Sequence, residues 1–213
     1  MAADEKIAAV LLAAGRSRRM GAFKALLPFG RRSVVEACVA NLSEAGAREV
    51  VVVVGHRGEE VRAALAREAR VRFAFNDEEG SEMGVSIARG VEAVSDKAEA
   101  VLVALVDQPA VPPHAIRSLI DTRARTGARL VVPVWRGRGG HPVLIDLALR
   151  EELLSLAPDK GLRALFDARR DETLRVPADS PFVARDMDTW DDYVALHTEV
   201  FGEPPNKVLR TED

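Results

Sequence analysis

The chain has 213 residues, of which 47% are hydrophobic and 30% charged, with a formal net charge of −3. That length suits one core in one domain, the composition excludes a disordered chain, and the slight negative charge excludes a general attraction to nucleic acid. The single cysteine, Cys38, excludes an intramolecular disulfide and a multi-cysteine zinc site.

In chain order, the opening residues 1–6 lack a basic region followed by an apolar stretch, so no signal peptide is expected. The apolar runs 7–14 and 100–106 are strand-sized rather than membrane-spanning, and a cytoplasmic protein is expected. Residues 7–12 read as a buried strand that runs into a cationic turn from Gly15 to Lys24. A helix over 34–45 opens at Ser33, with Glu36 three residues on as a capping box, and closes at Gly46. Strands at 49–54, 72–75 and 100–106 alternate with helices at 59–69 and 85–94. A helix over 113–126 follows two prolines and stops at Gly127. Strands at 130–134 and 142–145, helices at 147–156 and 162–168, a strand at 173–176 and a helix at 190–200 complete the pattern. Cys38 falls in the apolar face of the first helix, where a buried structural thiol is expected. The alternation predicts an α/β fold: a single Rossmann-like open, mostly parallel sheet with helices on both faces. One domain is expected over residues 1–200, with a polar, proline-broken tail over 201–213.

The segment LAAGRSRRMGAFK, residues 12–24, carries the strongest chemical signal. At the carboxyl end of a first strand, small residues let a ligand approach backbone N–H groups, and arginine and lysine add positive charge for phosphates. Only Gly15 and Gly21 occur, so neither the dinucleotide fingerprint nor a P-loop is present, and a nicotinamide enzyme is disfavoured. Asp107, after the strand ending ALV and before Gln108-Pro109, is placed as a strand-end carboxylate able to hold Mg²⁺ or, alternatively, as a turn residue. Thr189 and Asp192 form a second capping box. His56, His114, His141 and His197 show no metal-ligand spacing.

The 12–24 string resembles the signature of nucleotidyltransferases that include the molybdenum cofactor cytidylyl- and guanylyltransferases and, more distantly, the sugar-phosphate and methylerythritol phosphate cytidylyltransferases. The resemblance implies the nucleotide-diphospho-sugar transferase type of fold. It places base and sugar against Ala13, Ala14 and Gly15, the β- and γ-phosphates against Arg16 and Arg19, and the α-phosphate against Lys24. Asp107 in its Asp-x-Pro, and Asp188 in a segment similar to Asp-x-Asp-Thr-Pro-x-Asp, are implied as ligands of Mg²⁺, with Trp190 in the place of that proline. Asn76, Met83 and Ser86 fit the spacing of a family loop that makes Ser86 a candidate for base or ribose contact, or else a helix-start residue. Glu79 and Glu82 depart from that loop. The Gly-His-Pro string at Gly140 and His141 resembles a glycine-rich acceptor loop, a fit for a mobile lid, with His141 contacting an acceptor phosphate or simply lying at the surface. Asp159, Gly161 and Arg163 resemble a string near the pterin pocket, where Pro158 and Leu162 replace smaller residues.

The implied reaction is attack of an acceptor phosphate on the α-phosphorus of a nucleoside triphosphate, with pyrophosphate leaving. Lys24, Arg19 and Asp107 are the expected catalytic residues. Ala14 and Gln108 resemble the branch that takes CTP. The first expectation is therefore transfer of CMP to a molybdopterin-type cofactor destined for a molybdenum hydroxylase client, with no nucleic acid or membrane partner. The alternatives are transfer to a sugar phosphate or other small phosphate ester, and a non-catalytic protein that binds and delivers the cofactor.

Overall fold

The computed structural model describes residues 6–17, 19–78, 82–157 and 159–206. The expectations for Arg18, Glu79, Pro158, residues 1–5 and the tail beyond 206 lie outside the described residues. The chain runs β1 (Ile7–Leu12), β2 (Pro28–Phe29), β3 (Arg32–Ser33), α1 (Val34–Ala45), β4 (Glu49–Val54), α2 (Gly58–Ala64), β5 (Val71–Phe75), α3 (Met83–Glu92) and β6 (Ala100–Leu105). It continues through α4 (Pro113–Thr126), β7 (Leu130–Trp135), β8 (Arg138–Gly139), β9 (Val143–Asp146), α5 (Arg150–Leu154), α6 (Leu162–Ala168), β10 (Thr173–Pro177) and α7 (Trp190–Phe201). Short 3-10 turns lie at Lys24–Leu26, Leu147–Leu149, Arg170–Glu172 and Pro181–Ala184.

Every residue of β1 is buried, as an uninterrupted apolar strand must be when helices cover both faces of its sheet. Successive side chains point to opposite faces and feed different cores. Ile7, Ala9 and Leu11 pack with Val35, Val39 and Leu42 of α1 and with Ile116 and Leu119 of α4. Ala8, Val10 and Leu12 pack with Ile87 and Val91 of α3, Leu153 of α5 and Leu165 of α6. A smaller cluster of Met20, Phe29, Val34, Met187, Tyr193 and Leu196 seats α7 beside the β2–β3 hairpin, where the buried Tyr193 hydroxyl donates to the Pro28 carbonyl at 2.6 Å.

The main sheet has the order β10-β7-β9-β6-β1-β4-β5, with β8 paired to β7. The seven strands expected from sequence are all present. β1, β4, β5 and β6 are mutually parallel, whereas β9 runs antiparallel to both β6 and β7. The chain leaves β1 for β4 and β5 on one side and then crosses to β6 on the other, which opens a crevice outside the carboxyl ends of β1 and β6. Leu12 pairs with both Leu105 and Val53, so the three strand ends are level there.

Helix ends follow local chemistry. Ser33 and Thr189 each form the expected capping box, with Glu36 and Asp192 respectively, and Gly46 and Gly127 take left-handed conformations at helix ends. α2 stops at Ala64 rather than 69, because residues 66–70 bury nothing that would hold another turn. The helix expected over 147–156 is a 3-10 turn followed by α5, since the Asp146 carboxylate accepts from the Ala148 N–H and tightens the start.

Gly90 lets α3 lie close on the sheet: a Cβ there would fall 2.4 Å from Val10 Cγ1 and 2.8 Å from Val53 Cγ2. Both neighbours are short, branched core side chains with little room to yield. Gly90→Ala should therefore cost about 1–3 kcal/mol of stability, despite alanine's better helix propensity. Urea unfolding checks this, and a variant as stable as wild type would show that α3 shifts freely.

Candidate active site

After β1 the chain keeps sheet geometry for one more residue, with the Ala13 N–H donating to the Val53 carbonyl at 2.9 Å. It then turns through exposed Gly15 and Arg16 to Ser17, which has a left-handed φ of 52°. The Ser17 hydroxyl accepts from the Lys24 N–H at 3.1 Å, and Met20 is buried between them. These contacts fold the cationic turn back over the crevice and bury the Lys24 side chain. Its Nζ lies 3.3 Å from Asp107 Oδ2 and 3.2 Å from Asp188 Oδ1. The largely exposed Arg19 reaches Asp188 Oδ2 at 3.0 Å.

The two aspartates are 81 positions apart in sequence and meet through the backbone. The Val106 N–H donates to the Leu12 carbonyl at 3.1 Å, extending the β1–β6 pairing to the residue before Asp107. The Met187 N–H donates to the Asp107 carbonyl at 3.0 Å, and the Gln108 amide donates to Asp186 Oδ1 at 2.8 Å. Asp192 Oδ2, the acceptor of the α7 capping box, also takes the Asp188 N–H at 3.2 Å. Burial raises the Asp107 carboxyl pKa above its ordinary value; Lys24 opposes this, and the negative charges of Asp186 and Asp188 add to it. Asp107 Oδ1 is buried with no hydrogen-bond partner. A buried, unsatisfied carboxylate oxygen beside a second carboxylate suits a hard divalent cation. No group of three His, Cys, Asp or Glu side chains stands together among the described residues. A cation bound by Asp107 and Asp188 would therefore complete its shell with phosphate oxygens and water.

A cleft of about 360 Å³ opens over these groups, lined by Leu12, Ala14, Gly15, Ser17, Arg19, Lys24, Met83, Ser86, Leu105, Val106, Asp107 and Asp188. It lies on the α3 side of the sheet, the side to which Leu12 and Ala14 both point. Ser86, in the first turns of α3, accepts a 2.8 Å bond from the Asn76 amide. Its own hydroxyl hydrogen is therefore directed elsewhere. Ser17, Leu105 and Val106 join the lining without having been singled out in the sequence. The one signal for Ser17 was a hydroxyl inside the cationic string, and an apolar strand end looks the same whether it faces a cleft or a core.

Of the residues expected at the site, Ala14, Gly15, Arg19, Lys24, Ser86, Asp107 and Asp188 meet at this cleft. Ala13 does not, because strand alternation turns it into the α1–α4 core. Arg16 is exposed outside the lining. Gln108 is buried and faces away, bordering a gap of about 20 Å³ beside Cys38 and Asn41. Cys38 is the expected structural thiol: it is buried, burial pushes its pKa up, and Sγ donates to the Val106 carbonyl at 3.7 Å.

The residues expected to bind the acceptor lie beyond the cleft lining. Gly140 is buried, and a Cβ there would fall 1.9 Å from the Val183 carbonyl oxygen. The His141 N–H donates to that same oxygen at 2.7 Å, and the Gly140 N–H donates to Pro133 at 2.9 Å. Gly140 thus serves close packing against the 181–184 turn, rather than the backbone freedom expected of it. Asp159 and Arg163 are exposed, with Arg163 Nε 3.8 Å from Asp167. Gly161, with φ of 51°, brings their turn close to Gly84, where a built Cβ would lie 3.9 Å from the Gly84 nitrogen. The turn therefore meets the start of α3, next to Met83 and Ser86.

A family model described as "MobA-like NTP transferase domain" matches residues 9–176. The chain is 35% identical over 167 residues to nicotine blue oxidoreductase of Paenarthrobacter nicotinovorans, covering 75% of this chain and 81% of that protein. It is 30% identical over 190 residues to a probable molybdenum cofactor guanylyltransferase of Mycobacterium avium, covering 86% and 92%. It is 32% identical over 132 residues to the bifunctional protein GlmU of Geobacter metallireducens, covering 61% of this chain but only 28% of that longer protein. Among solved structures, Rv0371c of Mycobacterium tuberculosis superposes with a TM-score of 0.78 at 32% identity, covering 90% of this chain and 97% of the other. A second structure of that protein is a complex with manganese, with a TM-score of 0.75 at 29% identity and the same coverage.

His141 gives this region a pH signature. Burial lowers its pKa from the ordinary 6.5, and Asp186 partly opposes the shift. Protonation is thus easier in the unfolded chain, so the unfolded state binds more protons as pH falls from about 7 to 5, and stability is lost over that window. An NMR titration of the His141 ring should have its midpoint below 6.5, and His141→Asn should flatten the loss on the acid side. A midpoint above the ordinary value would contradict the burial.

Proposed function

Since the chain belongs to the MobA-like NTP transferase family, we propose that it is a divalent-metal-dependent cytidylyltransferase that moves CMP from CTP to the phosphate of a molybdopterin-type acceptor and releases pyrophosphate. The observation that carries this reading is the buried Lys24 ammonium held between Asp107 and Asp188 at the floor of the cleft. A triphosphate entering over Gly15 brings anions that compete for Lys24 and Arg19. As the ammonium turns to the α-phosphate, the two carboxylates are released, and Asp107 and Asp188 would hold a Mg²⁺ ion. When bound, the metal ion neutralises triphosphate charge. An acceptor phosphate oxygen then attacks the α-phosphorus, the bond to the bridging oxygen breaks, and pyrophosphate leaves without a covalent enzyme intermediate. Positioning and fixed positive charge carry the acceleration, so no acid–base triad is needed.

CTP is favoured because Ala14 puts a methyl group in the cleft where glycine would leave space for a larger base. The Mycobacterium avium relative supports GTP as a second reading, and the name of the Paenarthrobacter nicotinovorans relative makes a redox activity worth an explicit control. The manganese complex of Rv0371c supports a metal-dependent step.

The test is incubation of the purified protein with Mg²⁺ or Mn²⁺, each of the four nucleoside triphosphates, and molybdopterin-type or sugar phosphate acceptors, following pyrophosphate. A parallel incubation with reduced nicotinamide cofactor checks for a redox activity. Pyrophosphate should appear with CTP and the pterin phosphate. Release with GTP alone would overturn the base assignment, and no release with any pair would overturn the transferase reading.

Lys24→Ala should lower turnover about a hundredfold to a thousandfold with the fold intact, the usual loss when one donor to a developing anion is removed. Near-wild-type rates in a folded Lys24→Ala protein would remove the central role of that ammonium. Asp107→Asn and Asp188→Asn should each abolish most metal-dependent turnover, and the double variant should be little worse, as for groups that act together on one ion. Rate losses that multiply would mean that the two carboxylates work independently.

A further inference from the structure

Gln108 is buried, lies outside the cleft lining, and spends its amide N–H on Asp186, two residues before Asp188. A carboxylate only accepts, so the amide nitrogen must face Asp186 and the amide oxygen must face inward. That oxygen is in fact buried without a partner. An arrangement that leaves a buried acceptor unsatisfied is costly, and it persists here because Asp186 fixes the orientation. One position earlier, the Asp107 carbonyl accepts from the Met187 N–H. Residues 107–108 and 186–187 are thus joined by two adjacent bonds, one from the backbone and one from a side chain. Asp188 is the next residue along, and its carboxylate faces Asp107 across Lys24.

We propose that Gln108 is a positioning residue for the metal pair: through Asp186 it sets the approach of Asp188 to Asp107, and it does not read the nucleotide base. This rests on the nucleotidyl-transfer reading above. It reassigns a residue whose sequence context points to base choice. Its side chain cannot touch a base in the cleft without giving up both its burial and its bond to Asp186.

The test measures Mn²⁺ binding to the full chain by electron paramagnetic resonance, with α,β-methylene analogues of CTP and GTP in separate arms. Nucleotide binding without metal and thermal melting are recorded alongside. Gln108→Glu sets two carboxylates against each other and should weaken Mn²⁺ binding about tenfold or more, the usual effect of losing an outer partner of a metal ligand. Metal-free nucleotide binding and the CTP-to-GTP ratio should stay at wild-type values. Asp186→Leu changes an exposed residue, so it tests the same link even if Gln108→Glu folds poorly, and it should weaken Mn²⁺ to a similar degree. Asp186→Asn alone should retain wild-type affinity, because the new amide keeps a carbonyl oxygen that accepts from the Gln108 N–H. An Asp186→Asn variant as weak as Asp186→Leu would mean that Asp186 acts only through its charge, and it would overturn the positioning role. Combining Gln108→Glu with Asp186→Asn restores a donor–acceptor pair with reversed polarity and should recover most of the affinity.

Wild-type Mn²⁺ affinity in Gln108→Glu or Asp186→Leu overturns the proposal, as does a combined variant no better than Gln108→Glu. A changed CTP-to-GTP ratio with unchanged metal affinity also overturns it and returns Gln108 to base reading. A wild-type protein that binds neither nucleotide analogue, or no Mn²⁺ beside them, overturns the transferase reading and this role together.

Discussion

The ion pairs of Lys24 with Asp107 and Asp188 are the contact on which the site depends. Burying a lone ammonium or carboxylate is costly, and each of these groups is tolerated because the others are present. The cluster also joins three distant parts of the chain: the turn after β1, the end of β6 and the approach to α7. Lys24 and Arg19 together supply as much positive charge as the two aspartates they pair with supply negative. In the proposed reaction, a triphosphate that attracts the cations would free the carboxylates in the same movement. That exchange would couple anion and metal binding without a moving domain.

The rest of the fold holds these ends in place. β1 sits between β4 and β6 with its strand end level with theirs, so the turn after it lies directly over Asp107. Gly90 keeps α3 close to the sheet, which brings Met83 and Ser86 to the cleft wall. On the far side, Gly140 packs against the Val183 carbonyl and fixes the turn that leads to residues 186–188. Gly140 therefore serves proximity rather than motion.

Where an element is decided within a few residues, it was legible in the sequence. Ser33 with Glu36 and Thr189 with Asp192 are capping boxes in both readings, because a cap needs only its own first turn. The seven strands were legible as apolar, β-branched runs. The two-residue strands β2, β3 and β8 were not, since a pair that short has no periodicity. The reversal of β9 was equally hidden, because strand direction is set by the neighbour it pairs with rather than by its own residues.

The sequence by itself determined the class of fold, the strand-end cationic turn and the residue types proposed to bind phosphate and a divalent cation. It placed Lys24, Arg19, Asp107 and Asp188 in one site through motif resemblance, and the structure gathers them. Only the tertiary structure decided which neighbours of those residues face the cleft. Ala13 and Ala14 are the same residue type side by side, yet strand alternation turns one into a core and the other to the ligand side. Gln108 follows directly on Asp107 but points inward, because a partner 78 positions away claims its amide. Direction is a property of the packed neighbour, and a linear string holds no record of which neighbour that is.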